Sequence, residues 1–158
     1  MTPIAYQITW TAYGTWLQGD DRGWVQSGVP GIQEPDPVVR KSCESRLSQQ
    51  ICLFDDDQRQ IIIQTIHDHC RMRGWELHAV NVLTNHVHVV VTADRAPEDV
   101  MNQLKAWTAR RLSDHAGYTE TIAKKAGRHK WWTEHGSTKW INDPQYFANA
   151  VHYVADGQ

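Results

Sequence analysis

The stretch WELHAVNVLTNHVHVVVTA, residues 75–93, decides how this 158-residue chain folds. Residues 75–83 read as one strand and residues 86–93 as the next, with Thr84 and Asn85 as a tight turn between them. Strands joined this closely pair antiparallel as a hairpin. Successive strand side chains point to opposite faces, so His86 and His88 share one face while Val87, Val89 and Val91 share the other.

Working outward, residues 55–57 supply an N-cap cluster for a helix that runs to about Arg73 and stops at Gly74. Ile62, Ile66 and Cys70 form its apolar stripe at i, i+4, i+8, with Ile63 alongside. Beyond the hairpin, Pro97 opens a second helix with Glu98 and Asp99 in its first turn, and Gly117 marks its end. Its expected stripe is Val100, Leu104, Trp107 and Arg111, widened by Met101, Thr108 and Leu112. Residues 5–11 alternate as a first strand and residues 138–141 as a last short one. Asp143-Pro144 then starts a final helix, with Phe147, Val151 and Val154 on one face and Tyr146, Ala150 and Tyr153 on the next. With that helix set aside, the order βαββαβ predicts a ferredoxin-like α+β fold. Its antiparallel sheet has helices on one face and leaves the other for a site.

Residues 18–54, rich in Gly and Pro, are expected as a long irregular excursion within a single domain spanning 1–158. No Gly-Lys-Ser/Thr follows the glycines, which excludes a P-loop. The composition, 41% hydrophobic and 22% charged, is that of an ordinary globular protein. No apolar run approaches the roughly 20 residues that span a bilayer, and no signal-peptide layout opens the chain, so a cytoplasmic protein without a membrane partner is expected. Three cysteines without a CxxC pair suggest reduced thiols rather than a zinc or disulfide framework.

The net charge of −2 hides an asymmetry: residues 101–142 carry eight Lys or Arg against three Asp or Glu, while residues 1–100 carry eight against thirteen. A basic C-terminal half interleaved with several of the eight tryptophans suits a phosphate backbone and stacked bases. The candidate DNA contacts are Lys105, Arg110 and Arg111 on the second helix, Lys124, Lys125, Arg128 and Lys130 in the basic loop, and Arg22 in the excursion.

Two neutral imidazoles two residues apart on a strand can share a divalent ion. His-x-His by itself is a weak signal. Histidine-triad nucleotide hydrolases need a third histidine where this chain has Val90, and two-histidine phosphoesterases need His-x-Ser/Thr twice, which is absent. The wider context is more specific. Tyr13-Gly14-Thr15-Trp16-Leu17, residues 19–25, Asn85-His86-Val87-His88, His135-Gly136-Ser137-Thr138 and residues 150–158 together resemble the HUH single-tyrosine transposases, of both insertion-sequence and REP-associated types.

That resemblance implies His86 and His88 as ligands of Mg²⁺ or Mn²⁺, with Tyr153 as the nucleophile that leaves a 5′-phosphotyrosine and a free 3′-hydroxyl. It implies Gln158 as the polar group completing the metal site, single-stranded or hairpin DNA as substrate, and a homodimer. Gln158 lies five positions past Tyr153, about 140° round an ideal helix, so the tail must deviate to serve the same ion. Tyr146 on the same helix is the rival nucleophile. Two other readings use the same residues: a catalytically inactive hairpin-DNA-binding module, and a metal phosphoesterase that uses water.

Overall fold

The computed structural model describes residues 3–14, 24–26, 29–34, 36–38, 52–118 and 129–156. Along the chain these form β1 (Ala5–Thr11), β2 (Trp24–Gln26), β3 (Val29–Gln33), α1 (Asp56–Arg73), β4 (Glu76–Val82), β5 (His86–Thr92), α2 (Pro97–Ala116), β6 (Ser137–Ile141) and α3 (Pro144–Ala155).

The helix ends obey local chemistry. Asp55 caps α1 by accepting from the Gln58 backbone amide, while the Gln58 side chain accepts from the Asp55 amide, a reciprocal capping box. Gly74 closes the helix at φ 72°, a left-handed conformation that glycine adopts without a Cβ penalty. Pro97 begins α2 and Gly117 ends it in the same left-handed way. Asp143 caps α3, with Pro144 in its first turn.

Strands β4, β5, β1 and β6 lie side by side in that order, every neighbouring pair antiparallel. This is the ferredoxin-like α+β arrangement. The register puts Thr9 opposite both His88 and Ser137, and His88 opposite Asn81, so one polar row crosses all four strands. Ile8, Trp10, Val87, Val89 and Val91 point to the other face, where Ile62 and Ile66 of α1 and Val100, Leu104 and Leu112 of α2 bury them in the larger core. The His88 face carries a smaller core of Ala5, Ala79, Val90 and Ile141 against Ala150 and Val154 of α3.

Two expectations shift. Within residues 18–54, β2 and β3 pair antiparallel as a separate two-stranded sheet, so the excursion is not wholly irregular. Pro30 and Gly31 inside β3 are poor strand formers, which hid it from a propensity reading. On α2 the buried stripe runs through Met101, Leu104, Thr108 and Leu112, leaving Trp107 half-buried and Arg111 exposed. Among the described residues no helix is long and apolar enough to cross a membrane.

Candidate active site

β5 carries the imidazole pair at its start. The rings of His86 and His88 lie 4.7 Å apart, centroid to centroid, and nearly perpendicular. Each is held by a neighbour through Nδ1. Asn85 Oδ1 meets His86 Nδ1 at 2.6 Å; an amide oxygen only accepts, so Nδ1 is the donor in this bond. Thr9 Oγ1 meets His88 Nδ1 at 2.9 Å from the adjacent strand. His88 is 8% exposed, and its Nε2 is buried with no hydrogen-bond partner among the described residues.

A buried polar atom left unmatched costs about 1–3 kcal/mol, so its presence asks for a missing partner. Burial, and secondarily the nearby His86, push His88 down to about 4, which keeps the ring neutral at neutral pH. A neutral imidazole with an unmatched nitrogen, its other nitrogen pinned by a hydroxyl, is what a divalent ion requires of a ligand. The residues present therefore fit two positions of a metal site. Among the described residues no third His, Cys, Asp or Glu joins them, and Gln158 lies outside the described residues.

α3 crosses the same sheet face. Burial of Ala150 and Val154 against Ala79 and Val90 fixes its rotation, and this turns Tyr153 toward β5. The Tyr153 ring lies 6.2 Å from that of His88, edge-on, and is 50% exposed. Tyr146 sits two turns earlier, where its hydroxyl donates to Gln7 Oε1 at 3.4 Å. The two tyrosines on α3 consequently serve different parts of the sheet. Flanking Tyr153, the exposed His152 and Asp156 pair at 3.0 Å across the last turn.

Among the described residues, the candidate DNA contacts on α2 lie apart from this place. Lys105 donates from Nζ to the carbonyls of Thr133 and His135, 2.8 Å each, so its ammonium ties α2 to the loop before β6. Burial lowers its pKa, opposed by Glu134. In this arrangement the lysine serves the fold, because carbonyls at a loop reversal need donors and helix α2 supplies this one. Arg110 stacks over Trp107 at 5.3 Å, and Arg111 lines a groove with Thr65, Asp68, His69 and Met72 between α1 and α2. Both arginines lie on the helix side of the sheet, away from the histidines. Lys130 is exposed with Nζ 5.5 Å over the Tyr13 ring. Arg22, Lys124, Lys125 and Arg128 lie outside the described residues.

Sequence reasoning missed Thr9 and Asn85 as supports of the histidines. Asn85 was visible as the residue preceding them, but as a turn former; Thr9 is 79 residues away and only strand register makes it a neighbour. Gly136 was quoted within a resembling segment but given no structural reason. A Cβ there would meet Thr9 O at 2.7 Å, so only glycine lets the loop lie against β1 at this point.

Comparison with known proteins adds a family. Residues 46–156 match the family described as "Transposase IS200 like". No curated protein sequence matches the chain. Among solved structures it is similar to a candidate transposase from Deinococcus radiodurans R1, with a TM-score of 0.53 at 15% identity over 98% of this chain and 90% of that one. It is similar also to a REP-associated tyrosine transposase bound to a REP hairpin, with a TM-score of 0.54 at 13% identity over 98% of this chain and 66% of that one. At such identities the likeness to these two structures is one of fold.

Proposed function

The chain belongs to the IS200-like transposase family, within the HUH tyrosine transposases, and from that premise we propose that it cuts and rejoins single-stranded DNA through Tyr153. The observation that carries this reading is the edge-on approach of the Tyr153 ring to the buried, unmatched His88. His86 and His88 would hold the divalent ion, with Gln158 as the expected further ligand. When bound, Mg²⁺ or Mn²⁺ supplies charge neutralisation at the scissile phosphate and at the departing oxygen.

The chain's own residues do the rest. A protonated phenol is a weak nucleophile and depends on placement. α3 holds the Tyr153 ring beside that of His88 while leaving it half exposed for a strand to reach. The phenolic oxygen forms a bond to phosphorus and its proton passes to solvent; the P–O3′ bond breaks and the 3′-oxygen gains a proton. The product is a 5′-phosphotyrosine and a 3′-hydroxyl, and the reverse attack by a 3′-hydroxyl rejoins ends with the number of phosphodiester bonds unchanged. Thr9 and Asn85 keep the imidazoles in one orientation throughout. His88, neutral near pH 7, acts as a ligand and not as a proton donor.

The hairpin bound by the REP-associated neighbour supports hairpin-bearing single-stranded DNA as the substrate class. The proposed working unit is a homodimer; pairing would bring two strand ends together. Covalent trapping tests the reading. Labelled hairpin DNA from the flanks of the gene, incubated with Mn²⁺ or Mg²⁺, should give a denaturation-resistant adduct that Tyr153→Phe and His86→Ala abolish and Tyr146→Phe retains. Cleavage that survives Tyr153→Phe without an adduct would establish water as nucleophile. Tight hairpin binding with no cleavage would establish a binding module.

A further inference from the structure

The sheet face under α3 is not covered evenly. Ala5, Ala79, Val90 and Ile141 are buried there, whereas Gln7, Thr9 and Thr11 are half-buried and Ser137 and Lys139 are exposed. Register assigns the exposed pair to this face: Ser137 is opposite Thr9, which is opposite His88, and Lys139 is opposite Gln7, which is opposite Val90. A polar strip therefore runs along β1 and β6 beside the imidazoles, with α3 as its wall.

Its charge is distinctive. Lys139 is the one lysine or arginine in β1, β4, β5 and β6. It makes no ion pair among the described residues, while Glu98 of α2 accepts from Thr138 on the opposite face of β6. With strands about 4.8 Å apart and a rise of about 3.4 Å per residue, its Cα lies roughly 12 Å from that of His88. The flexible stem of a lysine then reaches a phosphate adjacent to one held at the histidines, not that phosphate itself. Tyr146 stands on the α3 side of the strip, 42% exposed and tethered by its hydroxyl to Gln7, the residue opposite Lys139. An aromatic ring beside a cation along a polar strip is an arrangement that holds an unpaired strand, since a base must be unstacked from its neighbours to use the ring.

We propose that this strip is the track of the single-stranded DNA entering the site, with Lys139 neutralising a phosphate next to the scissile one and Tyr146 stacking on a base. The proposal rests on the transposase reading above, and it gives Tyr146 a binding role in place of the nucleophilic one. Ser137 offers a hydroxyl to the same backbone.

Equilibrium binding in EDTA, where cleavage does not intervene, tests it on the full chain. The probes are a labelled hairpin and the same hairpin with its single-stranded extension. Each lysine–phosphate contact on a single strand contributes about 0.7 to the slope of log affinity against log salt. Lys139→Ala should reduce the slope by about that amount for the extended probe and leave the bare hairpin unchanged, with Lys139→Arg restoring it. Tyr146→Ala should weaken the extended probe roughly tenfold and Tyr146→Phe should not, as stacking needs the ring and not the hydroxyl. An unchanged slope in Lys139→Ala overturns the track, even if wild-type protein forms its tyrosine adduct. The expected slope change without any adduct upholds the track and removes the cleavage chemistry, so the two readings fail separately.

Discussion

The two faces of the four-stranded sheet have the same backbone and opposite fates. On one, Ile8, Trp10, Val87, Val89 and Val91 meet α1 and α2 in a core from which water is excluded. On the other, α3 buries only a patch and leaves a polar row, Asn81, His88, Thr9 and Ser137, running out to solvent. The difference shows how a small domain divides its labour. Two helices on one side supply enough apolar burial that the opposite side can hold an unmatched imidazole and half-exposed tyrosines, features that cost stability.

Substitutions on the two faces should separate chemistry from stability. The largest effect expected is Tyr153→Phe, which removes adduct formation altogether while changing stability by less than about 0.5 kcal/mol, as for an exposed side chain. A denaturant midpoint displaced by more than that would mean that the hydroxyl helps to hold α3. Leu104→Ala on the sealed face should do the reverse. It is expected to cost roughly 2–5 kcal/mol of unfolding free energy, with trapping per folded molecule preserved. Loss of trapping in protein that remains folded would show that the two faces are coupled.

Thr9→Val sits between these cases, because Thr9 belongs to the site face but has no chemistry of its own. Removing the hydroxyl that orients His88 should weaken Mn²⁺ binding about 10- to 100-fold by calorimetry. Unchanged affinity would leave the threonine as a packing residue only. The smallest of the four effects is expected at the seam between faces. Gly136→Ala forces a methyl against Thr9 O and Met101 Sδ, and should lower stability by about 1–3 kcal/mol by thermal or chemical denaturation. A neutral result there would show that the loop tied by Lys105 can retreat from β1.

The parts of this fold that the sequence made legible are those whose causes lie within a few residues. Asp55 and Gln58, Gly74, Pro97, Gly117 and Asp143-Pro144 each act through a cap or a fixed φ, so helix ends could be read one by one. Alternation in residues 86–91 separated the histidine face from the valine face for the same reason. Where a competing local preference intruded, reading failed: Pro30 and Gly31 masked β3, and a plausible stripe on α2 pointed Trp107 and Arg111 inward when neighbouring positions were the ones buried.

Distance along the chain set the other limit. Sequence alone determined the order of the elements outside residues 18–54, the hairpin and the pairing of two imidazoles on one face, because backbone geometry enforces each of these locally. Only the tertiary structure decided that Thr9 would hold His88, that Lys105 would tie α2 to the loop before β6, and that Tyr153 and Tyr146 would part company over the sheet. Those outcomes depend on strand register and on how α3 rotates to bury Ala150 and Val154, and both are settled by the summed packing of residues far apart in the chain.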